Sequence, residues 1–191
     1  MHISTPVVKT LVQVNLACFL ITVIFASLNI NVFNIFALWS PLSDNFFFWQ
    51  FLTHLFLHGG LLHIFFNMLA IISLGTHVEK YLGSSQFLRF YLFCGVFASI
   101  FHILMTEFSD VPMVGASGAI FGIFSYFALV FPQEKLYAFF IPYGIRAKYL
   151  LGVLIAIELL LSFISTDDGI GHWAHIGGAI AGFIYYKFKI K

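Results

Sequence analysis

The chain reads as an all-α polytopic membrane protein, a single domain over residues 1–191 built from six transmembrane helices, and three observations predict it. First, 61% of its residues are hydrophobic and only 9% are charged, whereas a soluble domain carries charge on about a quarter of its residues. Second, the apolar residues gather into six runs, roughly 8–29, 59–79, 86–106, 116–132, 145–164 and 170–187. Each is close to the length of about 20 residues that a helix needs to cross a hydrocarbon core of about 30 Å. Third, with six spans, all nine Lys and Arg residues fall on one side. The same composition excludes other classes. There is no glycine period, only two cysteines are present, and the formal charge of +1 offers no footprint for nucleic acid.

Helices are the expected element because backbone amides in lipid must be satisfied within their own segment, and the alternation of a membrane β-barrel is missing. The first run follows Lys9 and is about 20 residues long, more than the apolar core of a signal peptide, so it is expected to stay as a helix. Residues 30–57, with Trp39, Pro41, Phe46, Phe47, Phe48 and Trp49, are too interrupted to span. They suit either a loop partly embedded in the outer leaflet or an ordinary aromatic belt. The second run ends at Lys80 and the third begins before Arg89; the fourth ends before Lys135, the fifth follows Arg146 and Lys148, and the sixth ends at Lys187, with Lys189 and Lys191 beyond. The other connections hold Asp44, Glu107, Asp110, Asp167 and Asp168 instead. The positive-inside rule then puts both termini in the cytoplasm.

Polar side chains inside spans are costly, so each needs a reason. His54, His58, His63 and Asn67 open the second span, Gly115-Ala116-Ser117-Gly118 the fourth, and His172 and His175 the sixth. All three spans run inward. His63 lies about 25 Å from Lys80, Ser117 about 27 Å from Lys135 and His175 about 18 Å from Lys187 at the helical rise, so the groups share the outer half of the membrane. A serine hydroxyl becomes a nucleophile when a base takes its proton, and histidine is the usual base near neutral pH. Ser117 stands at a helix start, where free N–H groups favour developing negative charge. His63 and Asn67, spaced i, i+4, share a face and can both donate to an oxyanion. Gly118 with Gly122, and Gly178 with Gly182, are small-xxx-small pairs that let the fourth and sixth helices pack closely. That packing makes His175 the base. No carboxylate stands near it in sequence at the same depth, so a Ser–His dyad is expected.

Metal binding is the rival chemistry. His54 with His58, and His172 with His175, have chelating spacings, yet His-Glu-x-x-His is missing and no acidic or Cys ligand accompanies them. No metal or other cofactor is therefore expected. Cys18 and Cys94 lie within spans as packing residues. Glu158, inside the fifth span, is a functional candidate by default, with a structural hydrogen bond equally open.

These motifs resemble the rhomboid intramembrane serine proteases, most of all the GlpG-type bacterial members. The likeness rests on His58-x4-His63-x3-Asn67, Gly115-x-Ser117-Gly118 and Ala174-His175-x2-Gly178-x3-Gly182, with Glu79 as a further structural match. The resemblance implies Ser117 as nucleophile, His175 as general base, and His63, Asn67 and the Ser117 amide as oxyanion hole. It implies a water-filled cavity open to the outside and access for substrate beside the fifth helix, 144–163. Phe121 takes the place of an aromatic that stacks on the catalytic histidine, commonly Tyr, and keeps the ring without the hydroxyl. Trp49-Gln50 stands where the family often has Trp-Arg, leaving the polar anchoring of the first outer loop open. Only about seven residues precede the first span, so the soluble N-terminal domain of some relatives is not expected.

The expected activity is hydrolysis of peptide bonds in or near transmembrane segments, in a bacterial inner membrane, with transmembrane protein substrates and the lipid bilayer as partners. Alternatives are a small membrane transporter, for which no internal repeat is visible, or an inactive relative that binds clients. Because His175 must be neutral to take the serine proton, activity should fall in acid.

Overall fold

The computed structural model describes residues 5–137, 143–164 and 170–188. The protein is a polytopic helical membrane protein. Asp167, Asp168, Lys189 and Lys191, used above for orientation, lie outside the described residues. The elements run α1 (Pro6–Ser27), α2 (Phe33–Phe36), α3 (Gln50–Thr53), a 3-10 turn His54–Phe56, α4 (Leu61–Ala70), a π turn Ile71–Gly75, α5 (Thr76–Leu82) and α6 (Ser84–Met105). They continue with α7 (Ser117–Val130), β1 (Lys135–Leu136), β2 (Ile145–Arg146), α8 (Ala147–Ile164) and α9 (His172–Phe188). The six apolar runs are thus all helical, with ends within a few residues of those expected. The antiparallel β1–β2 ladder, pairing Lys135 with Arg146 and Leu136 with Ile145, was not. Four helical stretches are long and apolar enough to cross a membrane: Pro6–Ser27, Leu61–Leu82, Ser84–Met105 and Ala147–Ile164.

The two shorter helices, α7 and α9, form the middle. Ten residues of α7, from Gly118 to Ala128, are buried, and α9 buries its His172–Gly182 face. Contact with protein rather than lipid relieves them of the need to match the full hydrocarbon thickness. Their seam is backbone on backbone. A Cβ at Gly178 would run into the Gly118 carbonyl, and one at Gly182 into the Gly122 carbonyl. A Cβ at Gly122 would lie 2.5 Å from Cys94 Sγ and 3.1 Å from the Gly178 carbonyl, so α6 and α9 both close on α7 there.

One end of the bundle gathers α1, α5, α6, α7 and α8. The Glu79 carboxylate accepts the amides of Val7 (3.0 Å) and Val8 (2.8 Å) at the start of α1 and the Ser84 hydroxyl (2.6 Å) at the start of α6. Those amides are orphans of helix geometry, and an anion is the natural partner for them. The Tyr81 ring meets Phe131 past the end of α7, and the Ala147 amide bonds the Glu134 carbonyl. Lys9, Lys80, Arg89, Lys135, Arg146 and Lys148 all belong to these termini. Since α7 has 14 residues, it rises about 21 Å. Starting level with its neighbours at the basic end, it stops well short of the opposite face, and its first residue is sunk below that face.

The loop across the opposite end is anchored by a residue the sequence left open. Gln50 is fully buried; its Nε2 donates to the carbonyls of Asn45 (2.7 Å) and Ile35 (3.2 Å), and its Oε1 accepts the Trp39 amide (3.2 Å). The Trp49 indole also donates to Ile35 at 2.9 Å. Gln50 thus supplies the polar anchor. Replacing Gln50 by Ala removes the partners of the Asn45 carbonyl and the Trp39 amide and empties a fully buried site, and should cost about 2–4 kcal/mol. A thermal melt in detergent should show a midpoint lower by about 5–15 °C.

Candidate active site

Ser117 is the first residue of α7, and the chain reaches it through a turn that only glycine makes easily. Gly115 has φ +115°, and its amide bonds the His54 carbonyl at 2.9 Å, tying this turn to the segment before α4. A Cβ there would also lie 2.7 Å from His63 Nε2 and 3.6 Å from Asn67 Nδ2. Both donors therefore face the backbone just before Ser117.

Across the α7–α9 seam, His175 Nε2 is 2.8 Å from Ser117 Oγ. The hydroxyl donates and the ring nitrogen accepts, which requires the proton of neutral His175 to sit on Nδ1. Phe121, one turn along α7, stacks on the imidazole with centroids 4.4 Å apart and planes 8° from parallel. His175 is 8% exposed, so ring, seam and hydrogen bond leave it a single orientation. Gly118, Gly178 and Gly182 act here only by allowing the close approach. The cavity that borders Ser117, lined by His54, Val114, Gly115, Gly118 and Ala174 among others, has room for about one water molecule.

Asn67 is 7% exposed and its Nδ2 donates to His58 Nε2 at 2.9 Å, which leaves its second N–H for another acceptor. The rings of His58 and His63 meet edge to face at 5.0 Å. His58 lies in the loop before α4. Desolvation, with the charge of His63 adding and the Phe56 carbonyl opposing, pushes its pKa down from the ordinary 6.5 to about 4. The unfolded chain then binds a proton between those values that the folded protein refuses. Stability is full above pH about 6.5 and drains as pH falls toward 4. Melting temperatures between pH 7 and 5 should therefore fall, and fall less steeply in His58→Asn.

Of the two pairs with chelating spacing, His54 and His58 have separate hydrogen-bond partners. His54 sits in the 3-10 turn and donates Nδ1 to the Gln50 carbonyl at 2.7 Å, while His58, beyond that turn, takes the Asn67 amide. The expectation that no carboxylate stands beside His175 fails. Glu158 of α8 places Oε2 2.6 Å from His172 Nδ1 and 3.0 Å from His175 Nδ1. The bond to His172 is well formed, whereas the approach to His175 is close but not aligned along its N–H. Among the described residues these three also make a possible metal-ligand group. The 2.6 Å contact is a direct hydrogen bond. A signal for Glu158 existed in the sequence. It stands twelve residues from Arg146, as His175 stands twelve from Lys187, so helical rise puts both at one depth.

The rhomboid domain family model matches residues 45–191. The rhomboid protease GluP of Bacillus subtilis (strain 168) is 41% identical over 139 residues, covering 71% of this chain and 25% of that protein. The putative rhomboid protease YdcA of the same organism is 33% identical over 138 residues, 71% of this chain and 64% of its own length. An inactive RHOMBOID-like protein 8 of Arabidopsis thaliana is 27% identical over 143 residues, 75% of this chain and 38% of that protein. The matched region therefore spans a quarter of GluP and under two thirds of YdcA. The match covers every residue of the Ser117–His175 site and of the elements that carry it, and the chain belongs to the rhomboid family.

Proposed function

We propose that the protein is an intramembrane serine endopeptidase that hydrolyses peptide bonds in or near transmembrane segments of other membrane proteins. The observation that carries this reading is the 2.8 Å hydrogen bond between Ser117 Oγ and His175 Nε2, formed at the sunken start of α7. Ser117 attacks the substrate carbonyl carbon while its hydroxyl proton passes to Nε2 of His175. The carbonyl oxygen becomes an oxyanion, received by the Ser117 amide, His63 Nε2 and the free N–H of Asn67. His175 then returns the proton to the departing amine, the C–N bond breaks, and an acyl-Ser117 ester remains. Water, deprotonated by His175, releases the acid and restores the hydroxyl. No metal or other cofactor enters the cycle.

Helix chemistry supports a substrate class. A helical peptide bond is shielded by its own hydrogen bonding, so segments weakened by Gly, Ser or Pro near the outer interface unwind most readily. α8 is the loosest wall, with 6% of its most apolar window buried, and access for the substrate lies beside it. All six apolar helices cross the membrane as a single domain, with both termini in the cytoplasm of a bacterial cell and the bilayer its inner membrane, as the clustering of basic residues supports. The likeness to a relative named inactive favours one second reading, a client-binding protein without turnover. Purified protein in proteoliposomes, given a fluorescently tagged transmembrane substrate, should cleave it at the same rate with and without a metal chelator. Binding without cleavage would replace the protease by the client-binding reading.

A further inference from the structure

An ionisable side chain on a lipid-facing helix needs a reason. Of the residues of α8 only Ala147 is buried, yet Glu158 turns inward, its side chain 13% exposed, and meets both buried imidazoles of α9. One carboxylate oxygen has two lone pairs and can accept from both Nδ1–H groups. His172 takes the linear position at 2.6 Å and fixes the carboxylate; His175 stands 3.0 Å away with its N–H directed off line. At 3.0 Å the carboxylate stands close enough to stabilise positive charge on the ring without an aligned hydrogen bond.

We propose that Glu158 is the positioning residue for His175: held by His172, its carboxylate stands against Nδ1 and keeps Nε2 aimed at the Ser117 hydroxyl. This rests on the reading of Ser117 and His175 as the reacting pair. When His175 takes the serine proton it becomes a cation, and the adjacent carboxylate then faces a full positive charge, so the contact strengthens where the reaction needs it. Among the described residues the other titratable groups around the ring are imidazoles: His172 on α9, His63 on α4 and His102 on α6, the last two within electrostatic reach of His175. Glu158 is the one carboxylate against the ring among the described residues. Ser117 and Phe121 on α7 bring no charge.

The test compares wild type, Glu158→Gln and Glu158→Asp on a transmembrane substrate in proteoliposomes, with fluorophosphonate labelling of Ser117 followed in parallel. Glu158→Gln should lower kcat about 100-fold with KM nearly unchanged. The acid limb of its kcat profile should move to lower pH, because a cationic His175 has lost its counter-charge. Glu158→Asp keeps the charge, so its limb should stay near wild type even where kcat drops. Should Glu158→Gln fail to fold, a Glu158→Asp limb displaced well below wild type overturns the proposal by itself. Active wild type with a folded Glu158→Gln of equal kcat and equal acid limb overturns this inference alone. A wild type that neither cleaves nor labels at Ser117 overturns the reading of the pair, and this inference with it.

Discussion

Replacing Ser117 by Ala should abolish cleavage, lowering kcat at least about 10,000-fold, while the protein stays folded. The size follows from the chemistry. Ser117 supplies the only atom that bonds to the substrate, and nucleophile removal in serine hydrolases leaves only what binding and the oxyanion donors contribute. The fold should barely notice. The lost hydroxyl makes one hydrogen bond, to His175 Nε2 at 2.8 Å, with a net worth of about 0.5–1.5 kcal/mol. Stacking on Phe121 and the α7–α9 seam still hold the imidazole. Activity measured on the transmembrane substrate and melting in detergent should thus separate: one collapses and the other shifts by a few degrees. Cleavage persisting in the alanine variant would place the nucleophile elsewhere.

The second large effect is expected at Gly178, and here stability and activity should fall together. A Cβ at that position meets the Gly118 carbonyl, which belongs to backbone rather than to a side chain that can swing away. The helices must separate by an ångström or more. Gly118 directly follows Ser117, and Gly178 lies one turn from His175, so separation at this point opens the Ser117–His175 bond. Gly178→Val should destabilise by about 3 kcal/mol or more and lower kcat at least about 100-fold in the fraction that folds. Gly152 on α8 has nothing within 4 Å of where its Cβ would be, so Gly152→Val is the matched control and should change neither property much. Equal melting and turnover for the two variants would mean the seam does not set the site.

Much of this was legible before any coordinates. Hydrophobic run length found the helices because lipid imposes one length and one polarity on them. Depth arithmetic from basic residues brought Ser117, His63 and His175 to one level because a helix converts residue count directly into distance. The small-xxx-small pairs pointed to the α7–α9 seam, which holds a hydroxyl on one helix 2.8 Å from a ring on the next. What stayed hidden depended on rotation about helix axes and on loops. Glu158 had the right depth, but nothing in its neighbours says that α8 turns this side chain toward α9 while presenting most others to lipid. Gln50 sits in an irregular segment, where no period predicts which carbonyls converge on it. The π turn Ile71–Gly75 lies against α1 and α6 at Gly75, whose Cβ would come within 3.2 Å of Val8 and 3.3 Å of Phe87. Such a local adjustment to packing has no signature in hydropathy.

The central claim is that Ser117 carries an activated hydroxyl because His175 draws on its proton. A fluorophosphonate probe reports that state chemically, because it captures a serine only where a base assists. Incubated with the folded protein and followed by peptide mapping, it should yield one adduct, on Ser117, that disappears in His175→Asn. An adduct on another residue, or labelling of Ser117 undiminished in His175→Asn, would contradict the account.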